Sequence, residues 1–75
     1  MAKIKPHITE STDKGMTGSE LRRLRINAGL SQNQLATRMK MWGWYRAKVV
    51  RYEKMSQFSL VENEMQTLLE SLGVV

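Results

Sequence analysis

Apolar residues recur at helical spacing in several short stretches of the chain, and glycines punctuate them. Leu21, Leu24 and Ala28 fall on one side of a helix, and Gly29 follows where a left-handed stop belongs. Ahead of them, Thr17-Gly18-Ser19-Glu20 has the form of a capping box, in which the Glu20 amide donates to the Thr17 hydroxyl and the Glu20 carboxylate reaches back. Arg25 lies on the same inward side, an unusual place for a charge. A second box, Ser31-Gln32-Asn33-Gln34, opens the next pattern. Leu35, Met39 and Trp42 recur at i, i+4 and i+7 with Ala36 beside them, which predicts a helix from Gln32 to about Trp42, ended by Gly43. A third helix is predicted from about Tyr45 to Lys54, with Val49 and Tyr52 inward and Tyr45 as a poor cap. Lys54 to Phe58 reads as a loop. Ser59-Leu60-Val61-Glu62 reads as a third capping box, opening a helix whose apolar residues are Val61, Met65, Leu68, Leu69 and Leu72, closed by Gly73. The expectation is an all-α domain over 17–75. Residues 1–16 mix Lys, Thr, Ser, Asp and Gly without a sustained period and read as a flexible N-terminal arm. Ala2 to Ile8 (AKIKPHI) alternates weakly, and Pro6 demotes it to an edge strand at best.

With 75 residues there is room for one small domain, and little for a deep catalytic pocket beside a core. The chain has no cysteine and a single histidine, His7. Disulfides and thiolate metal sites are therefore excluded, and no base is paired with an obvious nucleophile. Glu62 and Glu64 are two apart and do not face each other on a helix. No enzyme activity, metal or cofactor is expected. The N-terminus lacks a signal-peptide apolar run, and no stretch approaches the ~20 apolar residues of a membrane span. A cytoplasmic protein is the expectation.

Charge sharpens this picture. The net charge is +5 and the sequence pI about 10.0, but the distribution says more than the sum. Between Gly18 and Lys54 stand nine Arg and Lys residues against two Glu; from Met55 onward there are three Glu and no base. A basic body and an acidic last helix imply one face for a polyanion and another for something else. Two short helices separated by a glycine, the second rich in arginine, are what helix-turn-helix recognition of double-stranded DNA requires. Gln32 stands at the N-terminus of the first, where a phosphate can be met. The outward stripe of the second is Arg46, Ala47, Val50, Arg51 and Lys54. Arginine pairs bidentately with guanine, and Ala47 or Val50 can sit on a thymine methyl. Lys48 and Lys54 suit phosphates.

The segment GLSQNQLA (Gly29 to Ala36), with VVRYE (Val49 to Glu53) and ESLGV (Glu70 to Val74) after it, resembles the Cro/lambda-repressor type of helix-turn-helix domain, the XRE-type family. The resemblance covers Ser19 to Val74. It implies a compact four- to five-helix bundle that binds operator DNA, usually as a homodimer on a palindromic site. It implies a transcriptional regulator of the repressor kind found in phages, mobile elements and toxin–antitoxin systems, and a structural ion pair between Arg25 and Glu53. Between Ala36 and Val49 the chain is longer than the family usually is. This motivates an almost one-turn extension of the second helix, which also keeps Arg46 out of the core.

Several residues admit a plainer role. Arg22 and Arg23 read as a solvated face. Trp42 continues the Leu35–Met39 stripe and is expected in the core, whereas Trp44 is open between packing and contact with the nucleic-acid backbone. The six methionines suggest an adaptable core. The basic, aromatic run from Arg38 to Lys54 would also suit an anionic membrane surface, but Gly43 interrupts any long amphipathic helix there. The alternative function is a protein-binding module that has kept the fold, with the acidic last helix or the arm holding a toxin, a phage regulator or RNA polymerase. RNA is disfavoured because an A-form major groove does not admit the helix.

Overall fold

Thr17 adopts an extended backbone and accepts from the Glu20 amide at 3.0 Å, which starts the first helix, α1 (Gly18–Asn27). The computed structural model describes residues 13–74. Gly29, at φ 75°, reverses the chain, and the Leu30 amide closes onto the Arg25 carbonyl at 3.1 Å. Ala28 ends the helix as its C-cap and is exposed, so the inward stripe is Leu21 and Leu24 alone. A complete capping box opens α2 (Gln32–Arg38): Gln34 N donates to Ser31 Oγ at 3.0 Å, and Ser31 N donates to Gln34 Oε1 at 2.8 Å.

The second helix does not run on to Trp42. It ends at Arg38, and the extra length becomes a 3₁₀ turn, Lys40–Trp42, before Gly43 at φ 80°. Trp42 N donates to Met39 O and Gly43 N to Lys40 O, both at 2.9 Å. A 3₁₀ turn advances each residue further around the axis than an α-turn does. Trp42 is thereby rotated off the Leu35–Met39 stripe and is only half-buried, while Trp44, on the far side of Gly43, is 4% exposed. The expected core place of Trp42 is thus corrected, since it packs at the margin, and of the two roles open to Trp44 the structure shows packing: it is the core residue.

The third helix, α3, spans Arg46–Lys54, with Tyr45 as an N-cap that makes no side-chain bond. Val49 is fully buried beneath it and Tyr52 half-buried.

Past Lys54 the all-α expectation gives way. Phe58–Val61 is a strand, β2, not a capping box, and it pairs antiparallel with β1 (Asp13–Met16), with Lys14 opposite Leu60 and Met16 opposite Phe58. The reason lies in the side chains: Phe58 and Leu60 are buried and Ser59 and Val61 exposed, a period of two that a helix start cannot satisfy. The end of the expected arm is accordingly a structural strand, while residues 1–12, including Lys3, Lys5 and His7, lie outside the described residues. The last helix, α4 (Glu62–Ser71), begins directly from Val61 without a side-chain cap and buries Met65 and Leu68, with Leu72 just beyond its end; Val61 is not part of that face. The described residues are therefore mostly helical, four α-helices around one core, with a two-stranded sheet that joins the segment before α1 to the segment before α4. No helix of the described residues is long and apolar enough to cross a membrane.

Candidate nucleic-acid interface

Three elements meet at the carboxylate of Glu53, near the end of α3. Arg25, in the last turn of α1, donates from Nε to Glu53 Oε2 at 2.5 Å and from Nη2 to Oε1 at 3.3 Å, and its Nη1 holds the Leu30 carbonyl at 2.9 Å. Gln32 Nε2, in the first turn of α2, adds a bond to Oε1 at 3.2 Å. The two charged side chains are 12% and 5% exposed, so the pair is close to dry and each charge depends on the other. Arg25 on the inward side of α1 is explained: it lies there to face Glu53. One consequence touches the predicted phosphate contact of Gln32. Its amide is partly committed to the clamp, leaving one N–H of the side chain for another acceptor.

With its end clamped, α3 turns one side outward. Arg46, Ala47, Arg51 and Lys54 are exposed and Val50 is half-buried, and they lie together on the face opposite Val49. No carboxylate interrupts that face; Glu53 is turned into the clamp. Lys48 is not on it. The Lys48 ammonium lies 5.6 Å from the ring centroids of both Trp44 and Tyr52, half-buried on the flank of α3, where the ring faces attract it. It is placed first as a cover for aromatic rings.

Beneath Lys48 runs an aromatic column. Trp44 meets Tyr52 edge-on at 5.3 Å, and Tyr52 stacks on Phe58 at 4.6 Å with nearly parallel rings. The column joins the turn before α3, α3 itself and β2. The Trp44 indole N–H donates at 2.7 Å to Glu64 of α4.

Four residues that sequence reasoning passed over extend the outward face. Asn33 and Thr37, on the side of α2 away from Leu35, and Lys40, in the 3₁₀ turn after it, form one exposed row, and Tyr45 and Arg46 stand across from them. Between the two rows lies a cleft of about 330 Å³ whose floor includes Ala36 and Trp44. The polar period on α2 was visible in the sequence; that it abuts the start of α3 was not. Arg38, by contrast, turns away and donates weakly to the Ser71 carbonyl at 3.5 Å, a cation set against the C-terminal end of α4. Arg22 and Arg23 are exposed on α1. What α2 and α3 present together is thus basic and hydrogen-bonding, spread over two helices and with two apolar side chains, Ala47 and Val50, set among the arginines. Comparison with family models, curated proteins and solved structures finds no match for the chain.

Proposed function

We propose that the chain is a sequence-specific DNA-binding regulator of the Cro/lambda-repressor-like kind, with α3 as the helix that enters the major groove. One observation carries the reading: a helix whose outward face is Arg46, Ala47, Val50, Arg51 and Lys54, free of carboxylates, is clamped at its end to the two preceding helices through Glu53. A reading helix needs a rigid mount, because base-edge hydrogen bonds are lost when donors are misplaced by a fraction of their length. In this mechanism Arg46 and Arg51 pair with guanine edges, and Ala47 and Val50 meet thymine methyls. Lys54, Lys40 and the remaining amide hydrogen of Gln32 hold phosphates and set register. A homodimer on a palindromic operator near a promoter would then regulate by occupancy, in the manner of a repressor.

The test is selection of bound duplexes from a random pool at two salt concentrations. A palindromic motif with affinity that falls steeply with salt is the expected result. Recovery of no motif, with only weak salt-sensitive binding, would sink the reading.

A protein-binding role is the second reading. It is favoured by the groove of about 470 Å³ between β1, the start of α1 and α4, which has Met16, Met65 and Leu69 in its lining and Glu20 and Glu62 at its rim. Copurification of a stoichiometric partner with the unmodified chain would support it.

A further inference from the structure

We propose that Glu64, on α4 and outside both helices assigned to DNA, is a positioning residue for α3 that acts through the indole of Trp44. The proposal rests on the DNA-binding reading and extends it to an element which that reading leaves unused.

The start of α3 has few local restraints. Tyr45 supplies no capping bond, and the segment before it is a short 3₁₀ turn followed by a left-handed glycine. The 3₁₀ turn itself is closed by two backbone bonds of 2.9 Å, but the backbone tie that reaches past Gly43, from Trp44 N to Met39 O, is long at 3.4 Å. Side chains hold it instead. Trp44 is 4% exposed, its ring is fixed edge-on against Tyr52, and its Nε1–H donates to Glu64 Oε2 at 2.7 Å. Indole nitrogen is a donor only, so a buried Trp44 without an acceptor would carry an unsatisfied N–H. The neighbouring Trp42 does bury its Nε1 without a partner. Of the two indoles flanking Gly43, only Trp44 is tied to another element.

Trp44 is bonded in sequence to Tyr45, and Arg46 follows. Wherever Glu64 holds the indole, it holds the first turn of α3 and the cleft that Asn33, Thr37, Lys40 and Tyr45 line. Glu64 is well chosen for this. It stands in the first turn of α4, where a carboxylate is favoured by the helix dipole, so the anchor is itself stably placed. Glu64 belongs to α4 and not to the outward face of α3, so its effect on binding passes through geometry: losing the bond lowers the fraction of molecules whose α3 start is ready to bind.

The experiment compares the wild-type full chain with Glu64→Gln, which keeps an acceptor oxygen, and Glu64→Leu, which does not. Affinity is measured on the selected duplex and on a random duplex, and hydrogen exchange is followed by NMR at the Trp44 indole and at the Arg46 and Ala47 amides. Glu64→Leu is expected to bind the selected duplex about three- to tenfold more weakly, with Glu64→Gln within about twofold of wild type and binding to the random duplex unchanged. Exchange at all three sites should accelerate in Glu64→Leu alone. Should that variant not fold, Trp44→Phe, which keeps a ring and removes the donor, takes its place, with the same expectations for affinity and for exchange at the Arg46 and Ala47 amides. Wild-type affinity in Glu64→Leu would overturn the proposal. So would a Glu64→Gln loss as large, or an equal loss on random DNA. If the wild-type chain selects no motif, the DNA-binding reading fails, and exchange at Arg46 and Ala47 judges the anchor alone: faster exchange in Glu64→Leu upholds it, and equal exchange overturns it.

Discussion

Gly18 is where α1 comes hard against the end of α3, and a single carbon atom decides whether they fit. A Cβ there would lie 2.4 Å from the Met55 carbonyl oxygen, 2.5 Å from that of Tyr52 and 2.6 Å from that of Glu53. The Gly18 amide uses the closeness, donating to Met55 O at 3.0 Å. Backbone cannot yield as a side-chain tip can, so Gly18→Ala is expected to destabilise by at least about 1–3 kcal/mol. At roughly 4–8 °C per kcal/mol for a domain of this size, thermal unfolding reads this directly; an unchanged Tm would mean that the helices separate freely. In the sequence, Gly18 is only one position of a capping box, because a close approach between residues so far apart in the chain leaves no local trace. Arg51 is the opposite case. Its place on the outward stripe is legible from spacing, and it is exposed as expected. Arg51→Ala should cost about 1–3 kcal/mol on the selected operator and relax preference at one base pair, with random DNA bound as before. An equal loss on random DNA would assign Arg51 to phosphate.

At the scale of elements, the clamp at Glu53 makes three helices one unit. Glu53→Ala would leave the Arg25 guanidinium, 12% exposed, without its counter-charge and Gln32 without its acceptor. A loss of about 3–5 kcal/mol is expected, measured by urea unfolding. A change under ~0.5 kcal/mol would mean that the pair behaves as an exposed one. Here family resemblance supplied what periodicity could not: spacing placed Arg25 inward, and only the resemblance named its partner. The elements also show where local rules compete. Ser31 and Gln34 form the box that their spacing predicts, because both partners are within one turn. Ser59 and Glu62 have the same spacing and do not, because Phe58 and Leu60 bury as a strand against β1 and take the backbone with them. The 3₁₀ turn at Lys40–Trp42 is a third instance: the extra length was legible, but the tightening of its hydrogen bonds was not.

Over the whole molecule, charge is divided between faces. Bases dominate α2, its following turn and α3, while α4 has only acidic charges, two of them in its first turn. Salt dependence tests what that division does. Binding to DNA releases counterions in proportion to the phosphates neutralised, so Lys54→Ala should weaken affinity on all sequences alike and lower the slope of log K against log salt by about one. A slope that stays put would remove Lys54 from the phosphate contacts. Lys48→Ala, with its ammonium over Trp44 and Tyr52, makes a useful comparison at the same net charge.

What the sequence by itself determined is what near neighbours in the chain can settle: the helix starts at the Thr17 and Ser31 caps, the stops at Gly29 and Gly73, the left-handed turn at Gly43, and the inward and outward faces of α3. The left-handed backbone at those glycines and the helical repeat are local physics, and they act before any tertiary contact forms. Tertiary structure alone decided the pairing of β1 with β2, the burial of Trp44 deeper than Trp42, the withdrawal of Lys48 onto the aromatic column, and the bond from Glu64 to the Trp44 indole. Each joins residues whose proximity depends on how helices pack. Which acceptor a buried donor finds, and which face of a turn is covered, is settled by burial against a distant element.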